Sequence, residues 1–435
     1  MSDSSVTVET AAYRRYVMGA TLLGAALRIV MLASKWNTKL MLNDSLYYSI
    51  QASNNAHGHW FKEAGGSNLA NWGVLPGAEH PPLTSVVMVP ASWLPHPEFW
   101  QRATMTALGI AVIPLVAVLA RRIAGRRVAV IAAGLAAVYP NLWLSDALIM
   151  SETLMLFLMV VTMIAATNHR ERFDVRTALA LGALIGLTGY ARSEILLYAP
   201  LFALIGVRSH PPAKWIRQGG LVLLGAGVMV LPWVVFNSTR FDSMVVMSTN
   251  DGNTLLGANC PATYGGPGLG GWNLSCLGPE TDEPNLDTSG RSAVRRREAV
   301  SYARHHAARW VYVVPARVLR AVDLFGLADN VRGDVGEERP SWGVWAGIAS
   351  WWVLAPMAAV GLWRTRRGLR YVVAVPVLGV LGVAVAFYGS HRLRAPVEPI
   401  VVVCAAMFIA ALPPVALAVD RRVAAFRSAA DASPI

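Results

Sequence analysis

The chain has 435 residues, of which 54% are hydrophobic and only 15% charged, and its mean hydropathy is positive. Those proportions exclude a disordered chain and an ordinary soluble enzyme, which at this length would divide into compact domains joined by polar linkers. The formal net charge is +12, yet the basic residues sit in short clusters between apolar runs, with no solvated basic domain to grip a nucleic acid. Of 38 basic residues 34 are arginine, only Lys35, Lys39, Lys62 and Lys214 being lysine, a bias of GC-rich bacterial genomes.

Apolar runs of about 20 residues recur from end to end, which predicts an all-α polytopic membrane protein of about ten transmembrane helices. The first, from Tyr16 to Ala33, follows Arg14 and Arg15 without a small-residue cleavage site, so it is expected to remain as a signal anchor. Further runs centre on 101 to 120, 128 to 146, 152 to 166, 177 to 190, 195 to 207, 219 to 236, 342 to 362, 371 to 388 and 398 to 419. Between them lie arginine-rich clusters: Arg121, Arg122, Arg126 and Arg127; Arg170, Arg172 and Arg176; Arg208, Lys214 and Arg217; Arg364, Arg366, Arg367 and Arg370; and Arg421, Arg422 and Arg427. Every cluster falls on the side of the N-terminus, which by the positive-inside rule makes both ends cytoplasmic. Residues 1–420 then read as one membrane domain with two long outer segments, 34–100 and 237–341, and a cytoplasmic tail at 421–435. The chemistry is expected on the outer face.

The outer segments carry their own order. Leu42, Leu46 and Ile50 recur every four residues beside Tyr47 and Tyr48, predicting a short amphipathic helix at the membrane surface. Cys260 and Cys276 stand 16 positions apart in a Gly/Pro-rich stretch of an oxidising compartment and are expected to form a disulfide ordering a flap over the site. Cys404, inside an apolar run, reads as packing. Residues 291–320 hold eight arginines against Glu298, interleaved with Trp310 and Tyr312, which predicts a basic interfacial helix facing anionic lipid headgroups.

Charged residues then gather where apolar runs meet the outer face. They are Asp44 after the first run, Glu79-His80 before Pro81-Pro82, Ser151-Glu152 at one short turn, Arg192 and Glu194 at the next, and His391, Arg392, Arg394 and Glu398 at the last. Such groups at bundle mouths mark a functional cavity. Asn43-Asp44-Ser45 also has helix-capping chemistry, so a purely structural cap is the competing reading of Asp44. The acids lack metal-ligand spacing and no His/Cys pattern joins them, which leaves no certain cofactor and room for a divalent cation near Asp44 and Glu152. The Gly265 to Gly271 run has no preceding strand or following helix and so is no nucleotide-phosphate loop.

In this order, Arg28, Asn43 to Tyr48, His80-Pro81-Pro82-Leu83, Ser151-Glu152, Arg192 and His391 to Pro399 resemble the GT-C membrane glycosyltransferases, particularly the protein mannosyltransferase and lipid A aminoarabinose transferase group. The resemblance covers about residues 13–420. It departs from the family where Ser45 stands in place of a second carboxylate and where His80 stands in a Lys-Pro-Pro element, and this chain ends soon after its last run, where many relatives carry a soluble domain. It implies transfer of a sugar, such as mannose or a pentose like arabinose or a xylose derivative, from a polyprenyl-phosphate donor. The acceptor would be a hydroxyl of an envelope glycan, glycolipid or protein. On that reading Asp44 is the general base, and Tyr47, Glu79, His80, Glu152, Arg192 and Glu194 bind substrate. His391, Arg392 and Arg394 hold the donor phosphate, and the partners are membrane lipids and no nucleic acid. The rival readings are a lipid-linked oligosaccharide polymerase or ligase and a transporter or flippase. The latter would place its charges near the bilayer midplane in two related halves.

Overall fold

A bilayer offers the backbone no water, so a spanning segment must satisfy its own amides, and the apolar runs fold as helices. The structure, a computed structural model, describes residues 3–41, 43–63, 75–278 and 286–413. Its main helices are α1 (Asp3–Ser34), α2 (Asp44–Ala56), α3 (Pro97–Ala124), α4 (Arg126–Val138), α5 (Ser151–Arg172), α6 (Val175–Gly189), α7 (Pro212–Ser238) and α8 (Asp251–Ala258). They continue with α9 (Thr288–His305), α10 (Trp310–Ala321), α11 (Leu327–Gly336), α12 (Ser341–Arg364), α13 (Arg367–Ala386) and α14 (Glu398–Ala410). The only β feature among the described residues is one bridge between Lys62 and Pro76.

Each of the ten expected runs contains helix within its described part, 414 to 419 of the last lying outside the described residues, but among those residues seven helices rather than ten are long and apolar enough to span a membrane. The other three are short. The run expected from 128 to 146 stops at Val138, because Tyr139 is extended and Pro140 opens a new turn; proline lacks the amide that would continue the helix and disfavours helical backbone in the residue before it. The next two give the 15-residue α6 and the apolar helix Ser193–Ala203. Between α5 and α6 the chain turns tightly. Phe173 is left-handed at φ 49°, and the Asp174 carboxylate accepts the Thr177 amide at 2.8 Å in a capping box, a device that stabilises a helix start by about 1 kcal/mol.

The helix α14 is apolar on every side and lies at the centre, with Pro399 to Ala406 buried between α12 and α4. Lipid tails supply no hydrophobic drive between helices, so close packing must hold them together. A Cβ at Gly361 would sit 1.9 Å from the Cys404 carbonyl oxygen, and one at Gly182 would sit 2.1 Å from that of Val222. The crossings of α12 with α14 and of α6 with α7 are therefore backbone-to-backbone.

One end of the bundle carries the arginine clusters that close α3, α5 and α12. The other receives the starts of α2, α5 and α14. There α2 docks by Tyr47, Tyr48 and Ala52, while Leu46 and Ile50 are only half-buried, so its buried face differs from the expected leucine stripe; Leu42 lies outside the described residues, as does the 421–435 tail. The expected basic helix is two, α9 and α10, split by a turn at Ala307–Arg309. Arg295, Arg317 and Arg320 are buried within the protein, whereas Arg304, Arg309, Trp310 and Tyr312 are exposed.

Candidate active site

Asn43 starts α2: its backbone is extended and its side-chain oxygen accepts the Ser45 amide at 3.0 Å. The capping role therefore belongs to Asn43, and Asp44 is the first helical residue with its carboxylate turned elsewhere. Asp44 Oδ1 lies 3.5 Å from His80 Nε2 and Oδ2 lies 3.5 Å from Arg392 Nη2. Its side chain keeps 37% exposure and lines a cavity of about 400 Å³. Burial alone would raise the Asp44 pKa, but His80, Arg392 and Arg192 outweigh it and hold the carboxyl below the ordinary aspartate range. The same pair works in reverse on His80, whose pKa burial would lower and Asp44 raises.

The polar wall of the cavity is built by Tyr48, His80, Ser151, Arg192, Glu194 and Arg392, and its far wall by Asn250, Asp251, Thr254 and Arg296 from the second long segment. Glu152 sits buried between the arginines: its Oε1 accepts Arg392 Nε at 2.9 Å, Arg392 Nη2 at 2.7 Å and Arg192 Nη1 at 3.1 Å, and Arg339 Nη2 is 3.8 Å away. Arg192 Nε donates to Glu194 at 2.5 Å. Tyr48 borders the cavity, while Tyr47 is buried with its ring 4.9 Å from that of His80 and Glu79 beside it.

The expected phosphate ligands separate. Arg392 reaches the cavity. His391 instead places Nδ1 2.9 Å from Asp323 and Nε2 2.7 Å from Asp334, and Arg394 donates to Asp323 and to Glu398, each at 2.7 Å, with its guanidinium 3.8 Å over Trp351. Arg394 is buried and the His391 side chain nearly so; both are spent on carboxylates and line a water-sized pocket of about 40 Å³ behind Glu152. Cys260 and Cys276 are bonded, and none of the residues lining the cavity comes from the loop between them. Arg309 and Arg320 hold its Tyr264 and Leu269 carbonyls, and the Gly389 amide donates to Gly270 at 2.8 Å.

Sequence reading misses the segment from Asp323 to Arg339. Glu338 accepts Arg102 Nη2 at 2.8 Å and Ser45 Oγ at 3.3 Å; Asp334 accepts Arg339 Nη1 at 2.6 Å; Glu337 accepts Arg392 Nη1. Asp323 and Glu338 are both left-handed, at φ 55° and 65°, a conformation that costs a side chain about 1–2 kcal/mol and is held only where surrounding contacts over-determine it. The available signal was density: Asp334, Glu337, Glu338 and Arg339 fall within six residues, flush against the start of a span. Among the described residues, no group of three or more His, Cys, Asp or Glu is placed to hold a metal ion.

No protein-family model matches the sequence, and no curated protein matches it. Solved structures do. The Archaeoglobus fulgidus oligosaccharyltransferase in the apo form aligns at TM-score 0.53 and 14% identity over 92% of this chain and 50% of that one. The same enzyme, AglB, in complex with an inhibitory peptide and a dolichol-phosphate aligns at 0.54 and 13% over 98% and 52%. The fold of the chain is therefore the one seen in this part of the archaeal enzyme. ArnT from Cupriavidus metallidurans bound to undecaprenyl phosphate aligns at 0.41 and 16% over 90% and 78%. The chain spans about half the length of the archaeal enzyme. The cavity lies at the end of the bundle remote from the arginine clusters.

Proposed function

We propose that the chain is a membrane glycosyltransferase moving a sugar from a polyprenyl-phosphate carrier to an acceptor hydroxyl of a cell-envelope glycan, glycolipid or protein. The observation that carries the reading is Asp44 set between His80 and Arg392 in the lining of the cavity. An alcohol attacks an anomeric carbon poorly until a carboxylate takes its proton, and of the acids lining the cavity Asp44 suits that task, because Glu194 is bonded to Arg192 and Asp251 to Arg296 while Asp44 stands 3.5 Å from its cations. In the empty site Arg392 and His80 keep Asp44 ionised but weakly basic. A donor phosphate that draws Arg392 toward itself loosens that restraint and raises the proton affinity of Asp44 when the acceptor arrives. Arg392 and Arg192 receive the departing phosphate, since a guanidinium presents paired donors that match its oxygens. A single displacement inverts the anomeric centre.

The prenyl tail needs an apolar path that meets the cavity. A groove of about 520 Å³ supplies one: Pro81 and Ala191 line the cavity, while their neighbours Pro82 and Tyr190 line the groove with Phe61, Trp233 and Phe236. This favours a tail lying along α6 and α7. The 291–320 region contributes Arg296 to the cavity and no residue to the groove. The arginine clusters favour cytoplasmic termini and a site on the outer face of the cytoplasmic membrane. The dolichol-phosphate bound by AglB supports the carrier class.

The same likeness to an oligosaccharyltransferase supports a second reading, ligation of a lipid-linked oligosaccharide. A cavity at the small end of ligand sites favours the single sugar. The test incubates purified protein with radiolabelled polyprenyl-phosphoryl sugars and a membrane glycolipid extract. Transfer that Asp44→Asn abolishes supports the proposal, transfer only from diphosphate-linked oligosaccharides favours ligation, and no transfer from any carrier overturns both.

A further inference from the structure

The guanidinium of Arg392 meets three carboxylates. Its Nε and Nη2 rest on Glu152, its Nη1 on Glu337, and its Nη2 stands 3.5 Å from Asp44. A phosphate can take two parallel N–H bonds from this group only if one of those acids withdraws. Glu152 is fixed, because it also holds Arg192 and faces Arg339 from a fully buried position. Asp44 is beyond hydrogen-bond distance and blocks no donor. Glu337 is bound to Arg392 through Oε1 alone, and its buried Oε2 has no hydrogen-bond partner.

The backbone around Glu337 is pinned on both sides. Asn43 Nδ2 donates to the Gly336 carbonyl at 3.1 Å, and the left-handed Glu338 is tied to Arg102, Ser45 and Lys35. Withdrawal of Glu337 therefore needs only rotation of its side chain, while the segment stays in place. We propose, building on the reading of Arg392 as the phosphate ligand, that Glu337 occupies the phosphate subsite of the empty enzyme and yields Arg392 to the incoming phosphate by taking a proton from solvent.

For the phosphodiester of a sugar donor the exchange balances, one carboxylate becoming a carboxylic acid as one phosphate charge enters; the dianion of undecaprenyl phosphate brings one charge more, which Arg392 and Arg192 face. The charged groups facing Glu337 are Arg392, Asp44, Glu152 and Arg339. Burial pushes its pKa up to about 7 against the pull of Arg392, with the Asp44 and Glu152 charges adding to burial. Loss of the Arg392 pull raises it further, so Glu337 takes its proton above neutral pH once Arg392 turns to the phosphate.

The experiment is calorimetric titration of the full chain in detergent with undecaprenyl phosphate at pH 7.5 to 9, in buffers of different ionisation enthalpy. Over this range the second ionisation of the lipid phosphate is nearly complete. The wild type should take up close to one proton per phosphate bound, and its affinity should fall by about tenfold per pH unit. Glu337→Gln should bind at least as tightly as wild type at pH 8, with no uptake and a flat profile. Binding without proton uptake in the wild type overturns the proposal, as does uptake that persists in Glu337→Gln, which would assign it to His80 beside Asp44. Arg392→Ala separates the two levels: if it binds undecaprenyl phosphate as the wild type does, the phosphate reading fails and this inference with it.

Discussion

Arg392 directs both Nε and Nη2 onto a single oxygen of Glu152, at 2.9 and 2.7 Å, while Glu152 rises from the first turn of α5 and Arg392 from the turn before α14. Those residues lie 240 positions apart. Their bond joins two spans at the cavity and fixes the plane of the guanidinium, so the remaining donors point where Asp44 and Glu337 stand. A fixed fork costs less ordering on binding than a flexible one, which suits a leaving-group site.

Arg392 and Arg394 should therefore behave differently although two positions apart. Arg392→Ala should weaken binding of undecaprenyl phosphate and slow transfer, each by about 10–100-fold, the loss expected for charge-assisted hydrogen bonds. Arg394→Ala strands Asp323 and Glu398 as buried charges and should lower stability by about 3–5 kcal/mol. Binding by calorimetry and unfolding in detergent distinguish the two. An Arg394→Ala protein of wild-type stability that had lost phosphate binding would reverse the assignment.

With Asn43 as the cap, the test of Asp44 sharpens. Both Asp44→Asn and Asp44→Ala should lower turnover by about 10²–10⁴-fold, the contribution of a general base, with little change in melting temperature. Asn43→Ala should lose about 1 kcal/mol of stability. Near-normal sugar transfer in Asp44→Asn would remove the central catalytic assignment.

The helices were legible in the sequence because the membrane demands it: a span must be long and apolar wherever its partners lie. The site was legible in part for a related reason. Asp44, His80, Glu152, Arg192 and Arg392 stand out as charges at the ends of such runs, and the fold brings four of them to one cavity with Glu152 buried behind, bonded to both arginines. What the sequence withheld was partnership. His391 and Arg394 look like free cations until Asp323, some 70 positions earlier, is found beneath them. The string from Gly333 to Pro340 reads as a solvated loop until Lys35 just after α1, Ser45 of α2 and Arg102 of α3 close on Glu338. The break at Pro140 was visible in principle, but the surrounding apolar residues masked it.

The Asp44–His80 contact sets a pH dependence of stability. His80 has a raised folded pKa, so its contribution is complete below about 6.5 and is lost as pH rises through the folded value. Asp44 has a depressed one, so its contribution is present above about 3.9 and is lost as pH falls through the folded value. The pair therefore stabilises the protein from mildly acidic to neutral pH. Because Asp44 is more than a third exposed, solvent screening holds the effect to about 1 kcal/mol at most. Melting temperatures from pH 6 to 9 should decline slightly in the wild type and be flatter in His80→Gln; equal slopes would place the pair's energy near zero.

The last prediction concerns a charge pair deep in the helices. Arg28 of α1 donates from Nε to Asp146 at 2.6 Å, and both side chains are buried. Arg28 also reaches the carbonyls of Gly24 and Ala137 at 3.2 Å, and Thr153 donates to Asp146 at 2.8 Å, so little hydrogen-bonding capacity is unused. The contact needs the backbone of α3 close by, since a Cβ at Gly109 would fall 2.0 Å from an Asp146 oxygen. Such a pair adds little net stability, because the desolvation of two charges offsets their attraction, yet removing one partner leaves the other uncompensated. Arg28→Met alone should cost about 3–5 kcal/mol, and so should Asp146→Leu, whereas the double variant should cost much less than the sum. Unfolding of the four proteins in one detergent gives the coupling energy. A double variant as unstable as the added singles would mean that the two charges act independently, and that α1 is held to the bundle by packing alone.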